Sequence, residues 1–281
     1  MKEVFLETII DTLKIVPFLF FVFLIMEFVE HKLSEKNKKI IEKSGKFGPF
    51  FGSILGAFPQ CGFSVAATNL FSSGVITTGT LIAIYLSTSD EMLPILISHN
   101  VGLSFILKII FLKVFIAFLF GMILDLIFWK KVKKHEHFHD LCEDHHCGCE
   151  KNIFVSSIKH TLQILSFIFI ITLLLNGVIY YVGEKAITNL LLKNSAIEPF
   201  LTSLVGLIPN CGASVIITEL YLSNALSFGA MMSGLLTGSG VALVVLFKEN
   251  KDKKENLKIL CTIYLIGSLV GLLIHLLHIY I

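Results

Sequence analysis

Two nine-residue stretches carry most of the side chains that can hold an ion inside an apolar chain. They are Gly56-Ala57-Phe58-Pro59-Gln60-Cys61-Gly62-Phe63-Ser64 and Gly206-Leu207-Ile208-Pro209-Asn210-Cys211-Gly212-Ala213-Ser214. Gln60 and Asn210 offer amide carbonyls, and Ser64, Thr68, Ser214 and Thr218 offer hydroxyls. Asp90 and Glu91 are adjacent acids within an apolar segment, and Glu219 follows Thr218 where the first copy has Asn69. A carboxylate inside a span is expensive and marks function by default; the bland alternative is a surface turn at 87–91. Oxygen ligands of this kind suit a hard divalent cation such as manganese. Cys61 and Cys211 pull toward softer metals or trivalent arsenic species. A single membrane cysteine is usually a small apolar filler, but two at matching positions beside helix breaks argue for a role. Half-helix N-termini at such breaks also suit an oxyanion.

A second cluster lies between the two copies. Residues 135–150 hold His135, His137, His139, Cys142, His145, His146, Cys147 and Cys149. Imidazole and thiolate together bind zinc, nickel, cobalt or copper. The spacing fits no fixed structural zinc site, so it reads as a flexible chelating tract that can carry a divalent metal for sensing or delivery. The competing reading is a solubilising linker. No cofactor is required elsewhere. Glu27, Glu30 and His31 share one face of the first apolar segment and read as an interfacial cluster.

These residues are placed by an internal repeat. At a constant offset of 150, Pro49/Pro199, Ser53/Ser203, Gly56/Gly206, Pro59/Pro209, Cys61/Cys211, Gly62/Gly212, Ser64/Ser214, Thr68/Thr218, Gly79/Gly229 and Ser89/Ser239 are identical without a gap. Generic apolar similarity would match Leu, Ile and Phe rather than Pro, Cys, Gly and Thr in register.

The 281 residues are 54% hydrophobic and 16% charged, with mean hydropathy +0.81. A soluble domain carries about a quarter charged residues. Apolar segments of spanning length recur throughout, so the chain reads as a polytopic membrane protein. Long segments without alternation read as helices, because lipid offers the backbone no partners. The net charge of +2 gives no reason to expect a nucleic-acid partner. Residues 4–29 read as a first spanning helix rather than a cleaved leader, since lysines and no small-residue cleavage site follow. The organisation expected is a first transmembrane repeat over 1–130, a cytoplasmic His/Cys loop over 131–152 and a second repeat over 153–281.

Lysines crowd 31–48, 130–134 and 247–258, whereas 183–198 holds only Lys185 and Lys193. The positive-inside rule puts the first three loops in the cytoplasm and the fourth outside. Loop 31–48 and its repeat partner then lie on opposite sides, so the two halves have inverted topology and each crosses an odd number of times. Pro59 and Gly62, with Pro209 and Gly212, break the helix, and each broken pair forms either a re-entrant hairpin or two short spans. The following segment is interrupted as well, at 85–92 and again at 234–241 around Gly238 and Gly240. Matching broken segments in two halves point to a transporter's binding site. The fold expected is an all-α bundle of two inverted repeats with broken or re-entrant helices.

At the two Pro-Gln/Asn-Cys-Gly motifs, at Ser87-Thr88-Ser89-Asp90-Glu91 and at Leu236-Thr237-Gly238-Ser239-Gly240, the chain resembles the ten-transmembrane heavy-metal exporters. That bacterial family is labelled as arsenic efflux or manganese transporters, and the resemblance covers nearly the whole chain. A looser similarity is to organoarsenical permeases of the ArsP type. The resemblance implies a multi-pass inner-membrane permease, not an enzyme. Its partners would be a metal or metalloid ion and the lipid bilayer, and a homo-oligomer is compatible with it. No Gly-x-x-x-x-Gly-Lys-Ser/Thr loop is present, so transport would draw on a gradient. The rival readings are a permease for a small organic molecule or anion with a metal-regulated loop, and a membrane metal sensor.

Overall fold

A computed structural model of the chain describes residues 47–57, 61–88, 92–128 and 196–277, with isolated helical positions at 9, 16, 17, 20, 21, 24, 157, 158, 161, 162, 165, 166, 169, 170 and 173. Ten helices run through the described stretches: α1 (Gly48–Gly56), α2 (Cys61–Ser72), α3 (Thr78–Ser87), α4 (Met92–Ser98), α5 (Leu103–Phe128), α6 (Glu198–Gly206), α7 (Cys211–Leu222), α8 (Phe228–Thr237), α9 (Ala242–Glu249) and α10 (Lys253–Leu276). The bounds of α1, α2, α3 and α4 recur in α6, α7, α8 and α9 at the same offset of 150, to within a residue at the ends. Among the described residues the regular structure is all helical, as long apolar segments without alternation predict.

Local chemistry sets the helix starts. Pro49 and Pro199 occupy the first turns of α1 and α6, where a missing N–H leaves no bond unmade. Thr77 accepts from the Thr80 amide at 3.1 Å and opens α3, and Ser227 accepts from Ala230 at 3.2 Å and opens α8. Asn210 caps α7 by accepting from the Gly212 amide at 3.1 Å. Asp252 caps α10 through the amides of Lys254 and Glu255.

Among the described residues, four stretches are long and apolar enough to cross a membrane: Thr78–Ser98, Leu103–Ile127, Phe228–Glu249 and Lys253–Leu276. The first and third are the interrupted segments. They form the interior, 73% and 83% buried, against 33% and 44% for the two unbroken spans. Leu81, Leu86, Met92, Met231, Leu236 and Leu246 are sealed within it. Phe111, Phe115, Leu126, Leu269 and Leu273 on α5 and α10 point outward, as lipid-facing side chains do when nothing drives them from hydrocarbon. The helices beside the Pro-x-Cys-Gly breaks are shorter. Nine residues of α1 or α6 rise about 13 Å and twelve of α2 or α7 about 18 Å, against a hydrocarbon core of about 30 Å.

Packing repeats and also interlocks. In each half the short first helix lies on the broken span and on the long helix that follows: α1 on α3 and α5, α6 on α8 and α10. Then the halves exchange contacts: α2 packs on α9, and α7 packs on α4. Close approach at these crossings depends on glycine. A Cβ on Gly206 would collide with the Gly234 carbonyl and the Thr237 hydroxyl, and one on Gly56 would collide with Ser87 and the Ile84 backbone.

The long helix α5 fixes direction. Gly79, at the start of α3, meets Asp125 near the C-terminal end of α5, whereas Thr88 meets Lys113 near its middle. Thus α3 runs against α5. Phe228, at the start of α8, packs edge-on to Phe105 near the N-terminal end of α5 with centroids 6.4 Å apart, and Leu235 meets Lys113. Thus α8 runs with α5.

Candidate functional site

The two broken spans stop at the same level of α5. Helix α3 ends at Ser87, and Thr88 turns away with its hydroxyl donating to the Ile84 carbonyl at 2.7 Å. Ser64 on α2 reaches the Thr88 hydroxyl at 3.1 Å. One turn on, Thr68 bonds the Ser64 carbonyl at 2.8 Å and the Tyr85 hydroxyl at 2.5 Å. The Tyr85 hydroxyl also lies 3.3 Å from the Ala242 carbonyl, at the start of α9 in the other half. All four side chains are buried. Two hydroxyl protons therefore serve three contacts in the Ala242–Tyr85–Thr68–Ser64 chain, so a proton in this sealed network has a choice of acceptors.

Helix α8 ends differently. Its ladder closes with the Gly238 amide on the Gly234 carbonyl, and the Ser239 amide turns to Thr237. Gly240 follows with φ of 56°, a left-handed turn that a side chain would strain. The Leu235 carbonyl at this end accepts from the Lys113 ammonium at 2.9 Å. The same ammonium donates to the Thr88 carbonyl. Lys113 is 1% exposed and is the eleventh of the 26 residues of α5. It joins the C-terminal ends of α3 and α8, where aligned peptide dipoles favour positive charge. The Ser239 hydroxyl is also buried in this interruption, with no hydrogen-bond partner.

The repeat is therefore symmetric in backbone and asymmetric in chemistry. Positions 85, 88, 90, 91 and 113 are Tyr, Thr, Asp, Glu and Lys; their counterparts 235, 238, 240, 241 and 263 are Leu, Gly, Gly, Val and Ile. One half supplies hydroxyls and charges, and the other supplies carbonyls and turns.

Of the residues singled out by sequence, Ser64 and Thr68 join the network beside Thr88. Asn210 is a buried helix cap. Thr218 bonds the Ser214 carbonyl at 2.7 Å, mirroring Thr68 and Ser64. Pro209 lies in the bend leading into α7, with Gly212 in its first turn; Gly62 is the second residue of α2; Gly238 and Gly240 separate α8 from α9. Glu219 pairs with His99 at 3.0 Å, both about half exposed, so it faces the α4 end of the other half. Pro59, Gln60, Asp90, Glu91, the side chains of Cys61 and Cys211, and the whole His/Cys tract 135–150 lie outside the described residues. Among the described residues no three His, Cys, Asp or Glu side chains come together as a metal site.

Sequence reasoning passed over Lys113, although a charge in the most apolar span is itself a signal. It also passed over Asp125 and Glu198, whose role appears only once their partners are placed. Tyr85 carried no signal of its own.

An all-helical chain with several apolar spans, two of them broken and buried at its centre, is a multi-pass membrane protein. A family model described as "Putative, 10TM heavy-metal exporter" matches residues 1–179 and, again, residues 149–279. The chain belongs to this family of heavy-metal exporters. No curated protein and no solved structure matches it.

Proposed function

We propose that this protein is a gradient-driven exporter of a metal or metalloid ion, manganese or an arsenic species, in the bacterial inner membrane. Its ion site lies between two inverted repeats. The observation that carries this reading is the meeting of the two broken spans at Lys113. Equivalent helices α3 and α8 run in opposite senses along α5 and stop at the same level of it, which supports an inverted pair. Non-helical backbone at the depth of a span persists where it is buried in protein or lines a cavity, and inverted repeats place their ion sites at such breaks.

Asp90 and Glu91 are the primary ligands in this reading. In sequence they fall, with Ser89, between Thr88 and Met92, which are 2% and 0% exposed. Gln60, Cys61, Asn210 and Cys211 belong to the paired motifs that open α2 and α7, with Ser64, Thr68, Ser214 and Thr218 in the turn behind them. Glu219, half exposed and paired with His99, belongs to the vestibule. The His/Cys tract collects metal on the cytoplasmic side.

The test is flux in proteoliposomes across a panel of divalent metals and arsenicals. Wild-type protein moves at least one of them, and Asp90→Asn or Glu91→Gln abolishes the movement. Wild-type flux in both variants would remove the acids from the mechanism. A Cys61→Ser/Cys211→Ser double variant that loses arsenical flux while keeping manganese flux assigns the metalloid. Removal of 135–150 leaves basal flux if the tract delivers metal, and silences the protein if it is a sensor.

A further inference from the structure

Transporters with broken helices commonly seat a dissociable coupling cation where half-helix C-terminal ends meet, because unpaired carbonyls and helix dipoles converge there. In this chain that seat is already filled. The C-terminal ends of α3 and α8 meet at one point, and the atom between their carbonyls is the Nζ of Lys113, held by Thr88 and Leu235. The lysine is fully enclosed and comes from a third helix, α5. It has no counterpart in the repeat, because position 263 is Ile, itself sealed in the core. The two halves therefore share one tethered cation rather than carrying one each.

We propose that Lys113 is a specificity-determining residue of transport: its ammonium is a built-in substitute for a sodium ion, clamping the two broken helices together at the seat such an ion would occupy. The inference rests on the transporter reading above and names its coupling chemistry. A chain that carries its own cation at this seat needs no sodium gradient there. The same ammonium fixes the level at which α3 and α8 end, because Leu235 lies just where the α8 ladder stops. Removing the amine takes a charged donor from both carbonyls, and depriving a buried acceptor of its partner is destabilising. A small side chain at position 113 would leave room for a free cation to take both carbonyls; an apolar side chain of lysine's length would leave none.

The experiment compares wild type, Lys113→Ala and Lys113→Met as purified full-length proteins in sodium, potassium or choline chloride at equal ionic strength. Thermal unfolding and proteoliposome flux are both read. Wild type unfolds at the same temperature and transports at the same rate in all three salts. Lys113→Ala in choline has a lowered unfolding temperature and roughly tenfold lower flux, the consequence expected of unpaired buried acceptors. Sodium or potassium restores it toward wild type. Lys113→Met stays impaired in every salt. Sodium-dependent stability or flux in wild type overturns the proposal, as does a Lys113→Ala protein that no small cation restores. If Lys113→Ala yields no folded protein, the wild-type salt series decides alone, flat supporting the proposal and sodium-dependent opposing it. Absence of flux for every metal and arsenical would sink the transporter reading, while the unfolding series would still judge the seat.

Discussion

Asp125 and Glu198 hold the same feature of the repeat from different helices. Asp125, on α5, accepts the Gly79 amide at 2.9 Å and the Thr77 hydroxyl at 2.7 Å, and so fastens the start of α3. Glu198, on α6, accepts the Ser227 amide at 3.1 Å and fastens the start of α8. Their repeat counterparts are His275 and Gly48. His275 keeps a contact, its Nδ1 lying 3.3 Å from the Ser227 hydroxyl, while Gly48 makes room beside Thr80. Each broken span thus has a buried carboxylate at its N-terminal end, where the helix dipole favours negative charge.

Asp125→Ala is expected to lower stability by about 2 kcal/mol, since it removes two hydrogen bonds to a buried carboxylate. Glu198→Ala is expected to lower it by about 1 kcal/mol, since one amide bond is lost. Denaturant unfolding in detergent measures both. An Asp125→Ala protein as stable as wild type would mean that Thr77 alone starts α3.

Gly206→Ala is expected to destabilise by about 1–3 kcal/mol through overpacking against the Gly234 carbonyl and Thr237. Gly102→Ala is the control, because a Cβ there meets nothing within 4 Å. The pair is read by the unfolding temperature of the purified proteins. Equal values would show that α6 and α8 separate readily at this crossing.

The repeat was legible because Pro, Cys, Gly and Thr in register are uncommon in apolar sequence, and the two interruptions near 88 and 238 fell where polar residues and glycine break the runs. What was not legible is how the halves differ in use. Thr68 and Thr218 look equivalent in sequence and both bond the carbonyl four residues back, yet only Thr68 meets a tyrosine, because position 235 is Leu. Glu219 reads as a ligand from its neighbours in sequence, but the exchange of α7 onto α4 sets it beside His99, 120 residues away. Contacts of that kind come from the interlocking of two halves, which no local pattern records. Lys113 could have been singled out from its setting, but the carbonyls it joins lie on two other helices.

The inverted arrangement proposed above predicts opposite accessibility for two loops. Gly102→Cys, in the connection from α4 to α5, and Lys251→Cys, in the equivalent connection from α9 to α10, are introduced singly into a background lacking native cysteines. A membrane-impermeant thiol reagent added to intact cells is expected to label the first and not the second. Labelling of both from the same side would refute inversion and with it the shared ion site.

The His99–Glu219 pair is expected to contribute little to stability. Both side chains are about half exposed, and exposed ion pairs are worth roughly 0.2–1 kcal/mol and weaken with salt. His99→Ala and Glu219→Gln should lower stability by similar small amounts that do not add, because each removes the same contact. Flux should fall less than about twofold, roughly three-tenths of the free energy behind a tenfold change. Complete loss of flux in Glu219→Gln with normal flux in His99→Ala would instead make Glu219 an ion ligand in its own right.

Tyr85 and Thr68 are the strongest case for coupling between packing and transport. Their hydroxyls lie 2.5 Å apart, and Tyr85 also reaches the Ala242 carbonyl across the seam between the halves. Tyr85→Phe and Thr68→Val each remove one hydroxyl from a sealed network and are each expected to cost about 1 kcal/mol of stability. The double variant should cost little more than either alone, a coupling of about 0.5–3 kcal/mol of the kind found for residues in one hydrogen-bond network. In the proposed transport cycle flux should follow the same pattern, because a seam between two halves that rock around a shared site parts and reforms in each turnover. Additive losses in stability would show that the two hydroxyls act separately. Unchanged flux in Tyr85→Phe would show that the seam at Ala242 stays closed throughout the cycle and that movement occurs elsewhere in the bundle.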